Sequence, residues 1–259
     1  MTGAAAARNT ASAYQWRLVA SADSTGADPS ILTELSEFRG RILYADGRRP
    51  GFRRNDGRYS DDDPLDSRSF HVTVRTDGEL VGYIRIRRLP EYSQSSLGRL
   101  VTRRQFEEVL EELRLTSNDC LEVSRWIVAP SARGTAVAPG LVVSAWAVGR
   151  WLGKRSLLAT VGTRDGQVTM LARFGGQVLN SAGPKFIAEY DDEVAALHFD
   201  LNYPPPRVAA RLSAVRRLLQ LPDSAFEKGE SDRDVACRQP ITSAGIGRAP
   251  SVHAPDLPM

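Results

Sequence analysis

The chain has 259 residues, 42% of them hydrophobic and 25% charged, with a net charge of +3. This is enough apolar material for a sizeable core, which excludes the unfolded polyelectrolyte class, and so small a charge gives no reason to expect a nucleic-acid partner. Two cysteines, Cys120 and Cys237, and the scattered His71, His198 and His253 give no disulfide framework and no metal-ligand spacing. No apolar run approaches the roughly 20 residues of a membrane span, and MTGAAAARNT lacks the apolar stretch of a secretion signal, so a cytoplasmic location is expected.

Residues 1–13 are small and polar and read as a disordered leader. YQWRLVA, Tyr14–Ala20, alternates as a strand does. In ILTELSEFRGRILY, Ile31, Leu32, Leu35, Phe38, Ile42 and Leu43 fall on one helical face. A polar loop follows with Arg48, Arg49, Arg53, Arg54 and Arg58, running into an aspartate triplet. FHVTVRT and ELVGYIRIRRL flank Asp77-Gly78, the dipeptide a tight hairpin turn prefers. TRRQFEEVLEELRL spaces Phe106, Val109, Leu110 and Leu113 as an amphipathic helix.

LEVSRWIV, Leu121–Val128, is a buried strand that carries Glu122, Ser124 and Arg125. A loop of small residues leads into a helix from about Pro139, which suits a first turn because its missing N–H is not needed there. SLLATVG is a further strand, DGQVTMLARFGG a short helix closed by Gly175-Gly176. Strands are expected at Lys185–Glu189 and Val194–Asp200, and a helix at Arg207–Leu221. The order predicts an α/β (α+β) single domain over 14–203, with a mostly antiparallel twisted sheet flanked by helices. Residues 204–226 read as a helical extension and 227–259 as a flexible tail.

A strand, a short turn and a helix bring unpaired N–H groups to face an anion. From Gly134 to Gly140 every side chain is small, and Arg133 adds a charge. The same turn also fits plain helix–sheet packing. On the strand, Glu122 is positioned to take a proton and Ser124 to donate a hydrogen bond, while Asp63, Asp66, Arg85, Arg125 and Glu122 read equally as a buried ion-pair network. His71, between two apolar strand residues, is a second base candidate or a satisfied strand histidine.

VAPSARGTAVA resembles the acyl-CoA-binding loop of the Gcn5-related N-acetyltransferase (GNAT) superfamily, with Arg133, Ala136 and Ala138 at its defined positions. Ala136 stands where the pattern has glycine, and a backbone passing there at positive φ would be strained. DPLD (Asp63, Asp66), GYIR (Arg85) and EVSRW (Glu122, Ser124, Arg125) together resemble the acyl-homoserine-lactone synthases and the related long-chain N-acyl amino acid synthases, and Arg39 matches an early arginine of that branch.

The resemblance implies a GNAT-like fold and an N-acyltransferase with no permanently bound cofactor and no metal. Acyl carrier protein or CoA brings the acyl chain. It implies Glu122 as general base, Ser124 as hydrogen-bond donor, and Arg39, Asp63, Asp66, Arg85 and Arg125 as the frame of the acceptor site. The donor would lie along Trp126, Ile127 and Val128 and against Arg133, Gly134, Ala136 and Ala138. The early aromatic residues that help form an S-adenosylmethionine pocket in the lactone synthases are not evident, with Leu43 and Arg49 about where they would fall, which favours another amine, such as an amino acid. An acidic carrier protein would find Arg48–Arg58, Arg99, Arg103 and Arg104. The rival readings are an acetyl-CoA-dependent small-molecule acetyltransferase and a non-catalytic acyl- or CoA-binding module.

Overall fold

A computed structural model describes residues 14–20, 28–47, 49–164 and 166–222. The expected leader, Arg48 and the expected tail lie outside the described residues.

Asp77 and Gly78 take φ of 50° and 80°, so the turn is built by the residue pair that tolerates it, and it joins β2 (Phe70–Thr76) to β3 (Glu79–Arg88). Around this hairpin stand β1 (Gln15–Ala20), β4 (Cys120–Val128), β5 (Ser156–Gly162) and β8 (Asp192–Asp200), with the short β6 (Gln177–Val178) and β7 (Lys185–Ile187). The order is β1-β2-β3-β4-β5-β8-β6, with β7 also on β8, and only the β4–β5 pairing is parallel.

The helices follow from local chemistry. α1 (Pro29–Ala45) is capped by the Asp28 carboxylate, which accepts from Ser30 N–H, and carries Pro29 in its first turn. α2 (Arg103–Glu112) has a capping box between Thr102 and Gln105. α3 begins at Val137, two residues before the expected start, and ends at Trp151, so Pro139 still falls in the first turn. α4 (Gln167–Ala172) and α5 (Pro206–Leu218) complete the set. In the stretch expected as a helical extension, α5 buries Val208 and Val215 in the main core and packs along α3.

Residues alternate across the sheet, as a strand's two-residue period requires. Leu121, Val123, Leu157 and Ala159 join the core under α3, while Glu122 and Ser124 bond to Arg87 and Arg85 on the opposite face. α1 and the loop after it cover that second face. Gly40 makes this possible, since a Cβ there would lie 2.6 Å from the Ser60 backbone nitrogen. Two irregularities in β4 then shape the molecule. Tyr83 faces Ile127 but Arg85 faces Ser124, so β4 holds one extra residue, and Arg125 sits in the bulge at φ 56°. Pairing with β5 ends at Val123↔Ala159, after which β4 continues on β3 and β5 on β8. A gap in the sheet opens there.

Gly40→Ala is expected to lower stability by about 1–3 kcal/mol through overpacking against a backbone that has no slack. Chemical denaturation checks this, with Gly51→Ala, whose Cβ would meet nothing within 4 Å, as the control.

Candidate active site

Three arginines and three aspartates close into a ring on the α1 face. Arg39 Nη2 bonds Asp66 Oδ2 at 2.5 Å, and Asp66 Oδ1 takes Arg85 Nη1 at 2.6 Å. Arg85 Nη1 also reaches Asp63 Oδ2 at 2.8 Å, and Asp63 Oδ2 lies 3.3 Å from Arg125 Nη2. Arg125 Nη2 is 3.2 Å from Asp61 Oδ1, and Asp61 Oδ2 is 3.0 Å from Arg39 Nε, which completes the circuit. Signs alternate around it, so the formal charges cancel. Arg39 is fully buried, whereas the Arg125 side chain is 24% exposed, so the ring has a closed side and an open side. Asp61, unlike the other five members, was not anticipated from sequence.

Burial works to raise the Asp63 carboxyl, but Arg85, the Leu65 N–H and Arg125 outweigh it and hold it well below the usual carboxylate range. Behind the ring, Tyr83 accepts from Arg39 Nη1 at 3.2 Å and lies 2.8 Å from His71 Nδ1. His71 Nε2 is 2.9 Å from the Asp66 carbonyl, which only accepts, so Nε2 carries the hydrogen and Nδ1 accepts from the tyrosine. Burial pushes His71 down, and with no exposed surface it is a structural neutral histidine rather than a second base.

Glu122 occupies a separate nest. Oε1 accepts from Arg87 Nε (3.0 Å), Arg87 Nη2 (2.5 Å) and Ser96 Oγ (2.9 Å), and Oε2 from Ser95 Oγ (2.7 Å) and Ser96 N–H (2.8 Å). The side chain is 1% exposed and is not part of the cavity wall. A carboxylate saturated in this way clamps the Ser95–Ser96 turn. Arg87 lies two residues from Arg85 on the same strand face, so the two-residue period could have found it; the serines lie in a patternless loop.

After β4 the chain makes a 3-10 turn at Pro130–Ala132 and enters α3. Gly134 takes the positive φ, 75°, while Ala136 sits at φ −70°, an ordinary helical value. The strain anticipated for alanine therefore does not arise. Arg133, expected to reach a phosphate, makes two bonds to the Asp46 carboxylate at 2.6 and 2.9 Å at the exposed rim.

A cavity of about 810 Å³ occupies the gap between β4 and β5 and runs through the sheet. Its mouth is on the ring side, with Asp61, Asp63, Arg85, Ser124 and Arg125 in the wall. Its far arm, under α3, is lined by Val142, Ala145, Trp146, Leu157, Ala159 and Phe199. Trp126 and Ile127 also line it, but Val128 does not. Leu43 and Arg49 are in the wall too, with the Arg49 guanidinium 4.0 Å over the Tyr190 ring. Several other arginines of the expected docking surface are engaged locally: Arg53 over the Tyr44 ring, Arg54 with Asp62, Arg99 with Tyr190, Arg103 with Glu107 and Arg104 with Glu108.

Residues 44–143 match the family model described as an acetyltransferase (GNAT) domain. No curated protein sequence matches the chain. Among solved structures it is similar to BjaI, a CoA-dependent acyl-homoserine lactone synthase, at 15% identity over 85% of this chain and 100% of that one, with a TM-score of 0.56. It is similar to TofI at 20% identity, over 78% and 99%, with a TM-score of 0.55. FeeM, an N-acyl amino acid synthase from uncultured soil microbes, matches at 11% identity over 81% and 97%, with a TM-score of 0.51. The domain match over residues 44–143 and the shared fold identify a GNAT-like domain and support acyl transfer. Within that class, the chain has the fold shared by the lactone synthases and the N-acyl amino acid synthase.

Arg39→Met is expected to cost about 3–5 kcal/mol, because it leaves the buried Asp61 and Asp66 with one arginine each and the ring one positive charge short, against about 0.5 kcal/mol or less for Arg104→Ala on exposed α2. Urea denaturation reads both. The depressed Asp63 carboxyl stabilises the fold above its unfolded value of about 3.9 and loses that contribution as pH falls toward the folded value. Asp63→Asn is therefore expected to flatten the stability curve on the acid side below about pH 5.

Proposed function

We propose that the chain is an N-acyltransferase that moves a medium or long acyl chain from acyl carrier protein or CoA to the amine of a small acceptor such as an amino acid. The cavity carries this reading: it joins a charged mouth to an apolar arm across the sheet, and an acetyl group has no use for such an arm. A long chain laid there gains about 0.8 kcal/mol for each buried methylene. Neighbours described with S-adenosylmethionine and isopentyl-CoA, or as an N-acyl amino acid synthase, support it.

In this reading the thioester lies along β4 beyond Val123, where β5 no longer pairs with it and backbone N–H groups from Ser124 to Val128 are aimed at the carbonyl oxygen and the pantetheine arm. Gly134, Ala136 and Ala138 keep the start of α3 bare enough for the carrier's phosphate to approach its free N–H groups. Ser124 Oγ accepts from Arg85 Nε at 3.1 Å, which leaves its own O–H to donate to the substrate. Asp63 stays ionised and holds the acceptor's ammonium. The unpartnered Arg87 Nη1 and Arg125 Nε face the need of an amino acid's carboxylate. After water at the mouth takes its proton, the amine attacks the thioester carbonyl; the C–N bond forms, the C–S bond breaks, and the thiol leaves with a proton. Glu122 acts through Arg87 as a positioning residue.

Incubating the protein with acyl-CoA or acyl carrier protein donors and an amino acid mixture, followed by mass spectrometry, should reveal an amide from a long-chain donor and little from acetyl-CoA. No amide from any donor with folded protein would sink the reading. Rate should rise with pH up to the acceptor's own amine pKa. Glu122→Gln should lower kcat and thermal stability together and leave that profile unchanged, whereas loss of the profile's shape would restore Glu122 as the base.

A further inference from the structure

Among the described residues, six buried side-chain nitrogen or oxygen atoms have no hydrogen-bond partner, and four belong to Arg87, Arg125, Trp126 and Trp146. All four of these residues line the one cavity. Two guanidinium donors suit the charged mouth, but Trp146 does not belong to it. It projects from α3 beside Val142, Ala145, Leu157 and Phe199, is 1% exposed, and stacks edge to face on Phe199 at 6.3 Å. A buried indole N–H is ordinarily paired, because leaving it unpaired costs the desolvation of a donor. Here the side chains beside it, Val142, Ala145, Leu157 and Phe199, are hydrocarbon, and the indole N–H makes no hydrogen bond. A saturated acyl chain would leave that donor orphaned. A chain with an oxygen at the matching depth would satisfy it.

We infer that the cavity is built for an acyl chain carrying a hydroxyl or keto oxygen in its distal part, and that the Trp146 indole N–H selects this chain by donating a hydrogen bond to that oxygen. This rests on the acyl-transfer reading and adds the donor's chemical class to it. Trp146 is then a specificity residue, remote from the bond that reacts. Discrimination arises because the polar group in the wall is unpaired with the wrong chain, the same asymmetry by which sites reject substrates lacking one hydrogen-bonding group.

The test is calorimetric binding and turnover of dodecanoyl-CoA against the positional isomers of hydroxydodecanoyl-CoA, with the hydroxyl moved stepwise toward the chain end. Wild-type protein should prefer one distal isomer by about fivefold to tenfold, the value of one net hydrogen bond. Trp146→Phe, which keeps an aromatic ring and removes the N–H, should lose the preference among isomers, read as the ratio of each isomer to the plain chain within the same variant. Equal affinity for all isomers in the wild type, or a preference that survives Trp146→Phe, overturns the inference while leaving acyl transfer standing. Failure of every acyl-CoA both to bind and to turn over overturns the two together. Should Trp146→Phe not fold, the wild-type isomer series alone decides.

Discussion

Everything on the functional face depends on the ring in which Arg39, Asp66, Arg85, Asp63, Arg125 and Asp61 pair in turn. These residues come from α1, the loop after it, β3 and β4, and the ring ties the polar loop to elements that Leu35, Phe38 and Ile42 of α1 already pack into the main core. Such a ring adds little net stability, because withdrawing six charges from water offsets most of their attraction. What it supplies is specificity of arrangement, since removing any member strands a buried charge. It fixes a loop that is otherwise polar and without regular structure, and leaves its exposed corner, Asp63 and Arg125, at the mouth of the cavity.

The second constraint is backbone geometry in β4. An arginine at positive φ is strained, and it persists because Arg125 is tied to two aspartates while its neighbours stay in register with β3. The extra residue re-aims the strand as β5 departs, so that the bulge, the gap and the ring's open corner coincide. The channel follows from those three facts. Its polarity gradient, from carboxylates and guanidiniums to Trp146 and Phe199, matches a molecule with a charged head and an apolar tail.

Much of this was legible in the residues. The Asp-Gly turn, the strand Ser156–Gly162 and the amphipathic helices follow from pattern and turn chemistry, and four of the ring's six members stand in motifs, with Arg39 a lone match beside them. Asp61 was hidden because it belongs to a triplet of identical residues that only burial separates: its side chain is 3% exposed and that of Asp62 66%. β6 is two residues long and leaves no period to read. At Glu122 sequence shows a carboxylate and not the five donors that enclose it. The loop after β4 looked strained at Ala136 because a linear motif cannot say that Gly134 already takes the positive φ. What pattern misses here is set by long-range packing.

The most direct measurement is a crystal structure of the protein with a thioether analogue of a long-chain acyl-CoA, which cannot transfer its chain. The acyl chain should cross the sheet between β4 and β5, with its head beside Ser124 and its tail against Trp146. A chain lying on the outer surface, with the gap between β4 and β5 empty, would contradict the account.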